Sequence, residues 1–174
     1  IKKLVIENAE VGNNAADNAY ILARLNRGNI SQVAISGGSV VANKIAAGFV
    51  LSNTGIIENS YINGTTFTSG TGTMVSAVAY SNGGRISTVY SYPDFSGVLD
   101  LTTAALVAQS AQDGSKVEKT HSIKIADVKF VANDDSAVTA NGNSASTEAE
   151  LSRRETYTDW DFENVWNVPN NGLP

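Results

Sequence analysis

Apolar residues in this chain alternate with polar ones or fall in short blocks, and the blocks return. Ile30 opens a run with Val33 and Ile35. Ile57 opens another, with Ser60 and Ile62 at the same offsets. Ile86 opens a third with Val89 and Ser91, and Val117 a fourth with Thr120 and Ser122. Upstream, Ile1 stands as far before Ile30 as Ile57 stands before Ile86, and it leads to Leu4 and Ile6. Positions two apart share one face of a β-strand, so each run predicts a strand with one apolar face. The opposite face then carries Val5, Ala34, Tyr61, Tyr90 and His121. A second phrase precedes each mark: AYILARLNRGNI at 19–30, AAGFVLSNTGII at 46–57 and VSAVAYSNGGRI at 75–86. The three align without a gap, placing Asn26, Asn53 and Asn82 at one position and Gly28, Gly55 and Gly84 two residues on. Leu106, Val107 and Ala108 begin a fourth copy that reaches Gly114 after a two-residue insertion.

No helical period fits this pattern, and Asn-Gly-type punctuation recurs about every dozen residues. A repeat of roughly 27–31 residues with several short strands predicts an all-β parallel β-helix in which each period is one coil. About five coils at roughly 4.8 Å each would give a rod of roughly 20–25 Å. One coil cannot bury its own inward face, whereas stacked coils set like residues over like. Leu22, Phe49 and Val78 are then one interior ladder, with Ala23, Val50 and Ala79 beside it. The recurring Gly and Asn are expected to supply positive φ at corners where a Cβ would clash. Asn26, Asn53 and Asn82 can also stack as an amide ladder.

AAGFVLSNTGIIENSYING at 46–64 resembles the GLUG motif of bacterial surface proteins, through Gly48, Phe49, Val50, Asn53, Gly55, Ile57, Asn59, Tyr61 and Gly64. The opening IKKLVIENAEV resembles the coil that commonly precedes such repeats. STEAELSRRETYTDWDFENVWNV at 146–168 is similar to the segment that closes these arrays. Members of that family include adhesin-like surface proteins and the non-catalytic regions of secreted immunoglobulin A proteases. The resemblance implies a right-handed parallel β-helix, secretion and a large parent protein.

An open β-helix end is an unpaired edge, and repeat arrays cap it. Thr147 to Glu150 has the Thr-x-x-Glu pattern of a capping box, so a short helix is expected there. Trp160, Phe162, Val165 and Trp166 offer much apolar area in a short span. Residues 146–174 therefore read as a C-terminal cap and tail, with the aromatics folded onto the last coil of a 1–145 repeat region. Residue 1 already lies in a coil, so the chain reads as a piece of something longer.

Charge narrows the partners. The net charge is −5 and the 12 basic residues are scattered, which argues against nucleic acid. No run of 18 apolar residues predicts membrane insertion by this segment. Cysteine is absent, so disulfides and thiolate chemistry are excluded. His121 is the single histidine, which removes two-histidine metal sites. It reads as an ordinary surface member of the outward column. A Ser-His-Asp triad is formally open, but no Gly-x-Ser-x-Gly elbow is present. Asp134 and Asp135 read as a solvated turn, with calcium and catalysis the alternatives, and Asp159, Asp161 and Glu163 as the outer polar face of the cap, with calcium the alternative. No cofactor is expected.

The outward column is the candidate binding feature. Tyr61, Tyr90 and His121, stacked about 4.8 Å apart, could hold a sugar face or a peptide, or could simply pack across coils to shield the sheet. The leading expectation is a non-enzymatic structural or adhesive module of a secreted or cell-surface bacterial protein. It would act as a rigid stalk or a segment binding a host glycan or protein, beside neighbouring domains of the same chain. The alternatives are a carbohydrate-active β-helix lyase or hydrolase, and an accessory domain of a secreted immunoglobulin A metalloprotease. A β-helix enzyme would need charged residues converging across coils. Here Glu58 aligns with Ser31 and Ser87, and Arg85 with Asn29, so no such cluster recurs.

Overall fold

The computed structural model describes residues 1–134, 136–137, 140–166 and 173. The chain winds as a parallel β-solenoid of about 4 turns, with a short C-terminal helix. The expected fifth coil survives as a shortened turn whose strands, Lys116–Glu118, His121–Ile123 and Lys129–Val131, have three residues each. Two sheets run the length of the solenoid. The first stacks Lys2–Glu7, Asn29–Ser36, Ile56–Ser69, Arg85–Val98, His121–Ile123 and Ser144–Ser146 in that order. The second stacks the strands between them, from Asn18–Tyr20 and Ala23–Asn26 up to Ala104–Ala111 and Lys129–Val131. Pairing within both is parallel, and the register follows the repeat: Ile30 lies against Ile57, Ile57 against Ile86, and Ile86 against Val117.

The interior is built as the alternation requires. The Leu22 amide donates to the Phe49 carbonyl, Phe49 to Val78, and Val78 to Val107, so these four form one vertical ladder. Ala23, Val50, Ala79 and Ala108 form the next. Phe49, Val78 and Val107 are fully buried. The amide ladder is also present: Asn26 Nδ2 donates to Asn53 Oδ1, and Asn53 Nδ2 to Asn82 Oδ1, each at 2.8 Å. It ends above Asn82, where the next turn presents Ala111 and the amide keeps only the bond to the following strand's carbonyl, at Lys116, that Asn26 and Asn53 also make to Ile56 and Arg85.

The corner glycines work differently from expectation. Gly28, Gly55 and Gly84 do not have positive φ, and neither do the three asparagines. A Cβ on Gly55 would stand 2.1 Å from the Gly28 carbonyl oxygen, and one on Gly84 the same distance from that of Gly55. These glycines are needed because successive turns approach closely there. Positive φ lies elsewhere and includes two columns: Asn8, Gly37 and Gly64, with φ between 53° and 66°, and a second that contains no glycine. Lys3, Gln32, Asn59, Thr88 and Lys119 follow one another in register with φ between 49° and 56°. Each bend interrupts the backbone ladder, and side chains take up freed amides. Ser60 Oγ accepts from the Val33 amide at 3.0 Å, and Thr88 Oγ1 from the Asn59 amide at 3.1 Å.

Candidate functional site

The column expected on the outer face of the first sheet stands in register: Val5 beside Ala34, Ala34 beside Tyr61, Tyr61 beside Tyr90, and Tyr90 beside His121. Its side chains point away from the solenoid interior, since their strand neighbours Val33, Ile62 and Val89 belong to the interior core and Tyr90 to a separate cluster. The column is not a free surface, however. Tyr90 is 0% exposed and His121 2%, while Tyr61 is half-buried. His121 is therefore not the surface residue that the alternation suggested.

The cover is the C-terminal segment. Thr147 caps the helix Glu148–Leu151 through the expected capping box with Glu150. Beyond it the chain turns back along the outside of the sheet, which differs from a cap seated on the last coil. Leu151, Tyr157, Trp160 and Trp166 pack with Tyr90 in one cluster. Trp160 lies 5.3 Å from His121 and 4.2 Å from Trp166 between ring centroids, and Trp166 lies 6.4 Å from Tyr61. The strap thus reaches from the final shortened turn down to the Tyr61 turn. The physical reason is mutual. An outward aromatic column and an aromatic-rich tail each leave apolar area in water, and laying one on the other buries both. The acidic residues alternating with these aromatics, Asp159, Asp161 and Glu163, face solvent as expected.

The upper end of the strap is closed. Trp160 Nε1 donates to the Lys119 carbonyl at 2.9 Å, and the Tyr157 hydroxyl to that of Leu151 at 2.6 Å. His121 Nδ1 is 2.8 Å from Ser144 Oγ, and its Nε2 is buried without a partner. Burial holds His121 neutral and pulls its pKa down to about 4. This Ser-His pair lies under Tyr157 and Trp160, and among the described residues no carboxylate partner orients its imidazole. Burial raises the Tyr90 and Tyr157 hydroxyls well above the usual tyrosine range.

Among the described residues the lower end is open. A cavity of about 300 Å³ lies between the strap and the column, lined by Gln32, Val33, Ala34, Asn59, Tyr61, Val165 and Trp166. Of these, only Tyr61 was a candidate binding residue from sequence. Gln32 and Asn59 lie on the glycine-free left-handed column, where no shared residue type marks them. Asn59 Oδ1 accepts from Thr88 Oγ1 at 2.7 Å.

The acidic candidates are structural. Asp134 Oδ1 accepts from the Ser136 amide at 3.0 Å and its hydroxyl at 2.7 Å, closing a turn, while Asp135 lies outside the described residues. Asp161 Oδ1 accepts the Glu163 and Asn164 amides at 3.0 Å, and the Asn164 contacts hold its carboxyl below the usual range. Among the described residues, no three acidic or histidine side chains are grouped to hold a metal ion, and no helix is long and apolar enough to cross a membrane. Glu58 and Arg85 are used between turns, on Asn29 at 2.9 Å and Glu118 at 2.6 Å. No family model, curated protein or solved structure matches this chain.

Proposed function

We propose that this chain is a non-enzymatic β-solenoid module of a secreted or cell-surface bacterial protein, a rigid spacer that carries an adhesive face. The observation that carries the reading is the continuity of its ladders. Ile30–Ile57–Ile86–Val117 and Asn26–Asn53–Asn82 run from turn to turn without a break. Each turn is held by its neighbours, so length is set by turn number and stiffness lies along the stack. The outward residues change where the inward ones repeat: Arg24, Leu51, Tyr80 and Gln109 follow one another on the second sheet, a series without converging acids and bases. The GLUG-like phrase at 46–64 and the closing segment at 146–168 point the same way.

Labelling intact and permeabilised cells of the encoding organism with an antibody to this chain tests the location. Signal on intact cells is expected, and signal confined to permeabilised cells would overturn it. Reducing-end release from a polysaccharide panel tests the absence of catalysis. Turnover that a single carboxylate substitution abolishes would replace the spacer with an enzyme.

A further inference from the structure

Both ends of the strap bury unpaired polar atoms, His121 Nε2 and the Tyr90 hydroxyl at the upper end among them, but the lower end has its orphans on residues that line a cavity. Trp160 and Trp166 are alike in burial, at 6% and 8% exposed, yet among the described residues the Trp160 indole N–H is paired and the Trp166 indole N–H is not. Gln32 Oε1 is likewise buried without a partner. Both residues line the same cavity. Its wall thus carries one orphaned donor and one orphaned acceptor, both buried from solvent, and small rotations of the two side chains toward the cavity would let a hydroxyl-bearing ligand satisfy both.

The rest of the lining narrows the ligand. Tyr61 and Trp166 present two rings inclined at 46°, so an apolar face is available beside the polar atoms. Among the described residues no charged side chain lines the cavity, which disfavours anions and cations. Strand addition by a peptide is blocked as well. Ala34 is paired in the ladder with Tyr61, and the Val33 amide is taken by Ser60 Oγ. The volume is at the small end of ligand sites, which run from about 300 Å³ upward.

We propose that this cavity binds one ring of a neutral saccharide. Its apolar face would lie against Tyr61 and Trp166, and its hydroxyls would accept from Trp166 Nε1 and donate to Gln32 Oε1. The site gives the adhesive face of the spacer a ligand class and rests on that reading only for where the saccharide would be met.

The test uses the whole chain, ¹⁵N-labelled, titrated with methyl glycosides of glucose, galactose, mannose and N-acetylglucosamine. The chain has two tryptophans, so two indole N–H signals report the two ends of the strap. At least one glycoside should move the Trp166 signal saturably, with a Kd on the order of 1 mM, and leave the Trp160 signal in place. Ala34→Phe fills the cavity without removing a polar partner and should abolish the shift. Gln32→Leu should weaken binding about tenfold. An unchanged urea midpoint in each variant shows that it folds. If no glycoside moves the Trp166 signal, or if the shift persists in Ala34→Phe, the site is refuted. Either result leaves the spacer role standing, because that role is read from location and catalysis rather than from this titration.

Discussion

Alanine at three corner glycines separates close approach from conformational freedom. Gly28, Gly55 and Gly84 occupy one position of the repeat. A Cβ on Gly28 meets nothing within 4 Å. On Gly55 it meets the Gly28 oxygen at 2.1 Å and backbone atoms of Arg27 and Gly28 at 2.8 Å. The obstacle is main chain, so no rotamer relieves it. Restoring an ordinary 3.4 Å contact requires the second and third turns to separate by about 1.3 Å at that corner. The bonds there are short: Ile56 N to Gly28 O at 2.8 Å, Gly55 N to Asn26 O at 3.1 Å, and the Asn26–Asn53 amide rung at 2.8 Å. An opening of that size takes all three beyond hydrogen-bond range. At about 1 kcal/mol each, the loss is about 3 kcal/mol, or a fall of about 6–12 °C in Tm for a chain of this size. Gly84→Ala should behave alike, since it meets the Gly55 oxygen at 2.1 Å. Gly28→Ala should stay within about 0.5 kcal/mol of the parent. Far-UV circular dichroism during thermal and urea unfolding reads the three variants. Midpoints are compared rather than extrapolated free energies, because turn-by-turn coupling lets repeat arrays depart from two-state behaviour. Equal midpoints for Gly28→Ala and Gly55→Ala would refute the close-approach account.

Three further predictions concern buried polar groups. Asn53→Asp keeps an acceptor for Asn26 Nδ2 but sets a carboxylate oxygen against Asn82 Oδ1 and the Arg85 carbonyl, where the wild-type amide donates. The folded carboxyl then holds its proton more tightly than the unfolded one. Stability should be full below about pH 4 and fall by about 3–5 kcal/mol as pH rises past the raised pKa, read as urea midpoints at acidic and neutral pH. His121 has the opposite sign. Its folded pKa of about 4 lies below the ordinary 6.5, so its contribution is full above pH 6.5 and lost as pH falls toward 4. By pH 5 the parent should have lost about 2 kcal/mol that a His121→Gln variant does not lose. In Trp160→Ala the imidazole should regain water and its pKa, followed by NMR, should climb back toward the ordinary value.

The solenoid was legible because its constraint is written into residue type. A position that must be apolar or Asn in every turn shows itself once per period, and Leu22, Phe49 and Val78 are neighbours as their spacing implied. The glycines were legible as punctuation, but their reason was not. Sequence shows that a Cβ is unwelcome, not whether φ or a neighbouring carbonyl forbids it. The glycine-free left-handed column was not legible at all. Lys3, Gln32, Asn59, Thr88 and Lys119 share a backbone conformation and no chemistry, and Thr88 is β-branched, a type that rarely takes a φ as positive as the 50° found here. At this bend the stacked turns above and below fix the backbone, and the side chain adapts.

The strap shows why the candidate site was read only in part. Trp160, Phe162 and Trp166 identify a segment that must bury apolar area, but a lid on the end of the stack and a strap along its side do so equally well. The deciding term is the outward column, which has the same unmet need. Two apolar surfaces without other partners are better read as each other's cover than as one cap and one binding stripe. The pairing also explains the position of the cavity. Beneath Trp166 the column changes from Tyr61 to Ala34, which contributes a single methyl group where an aromatic ring would have filled the space. One turn further down, Val5 is 65% exposed, beyond the reach of the described strap. The opening thus follows from one small residue in a column of large ones. That is why Ala34→Phe, which extends the aromatic stack by one ring, is the substitution that should close it.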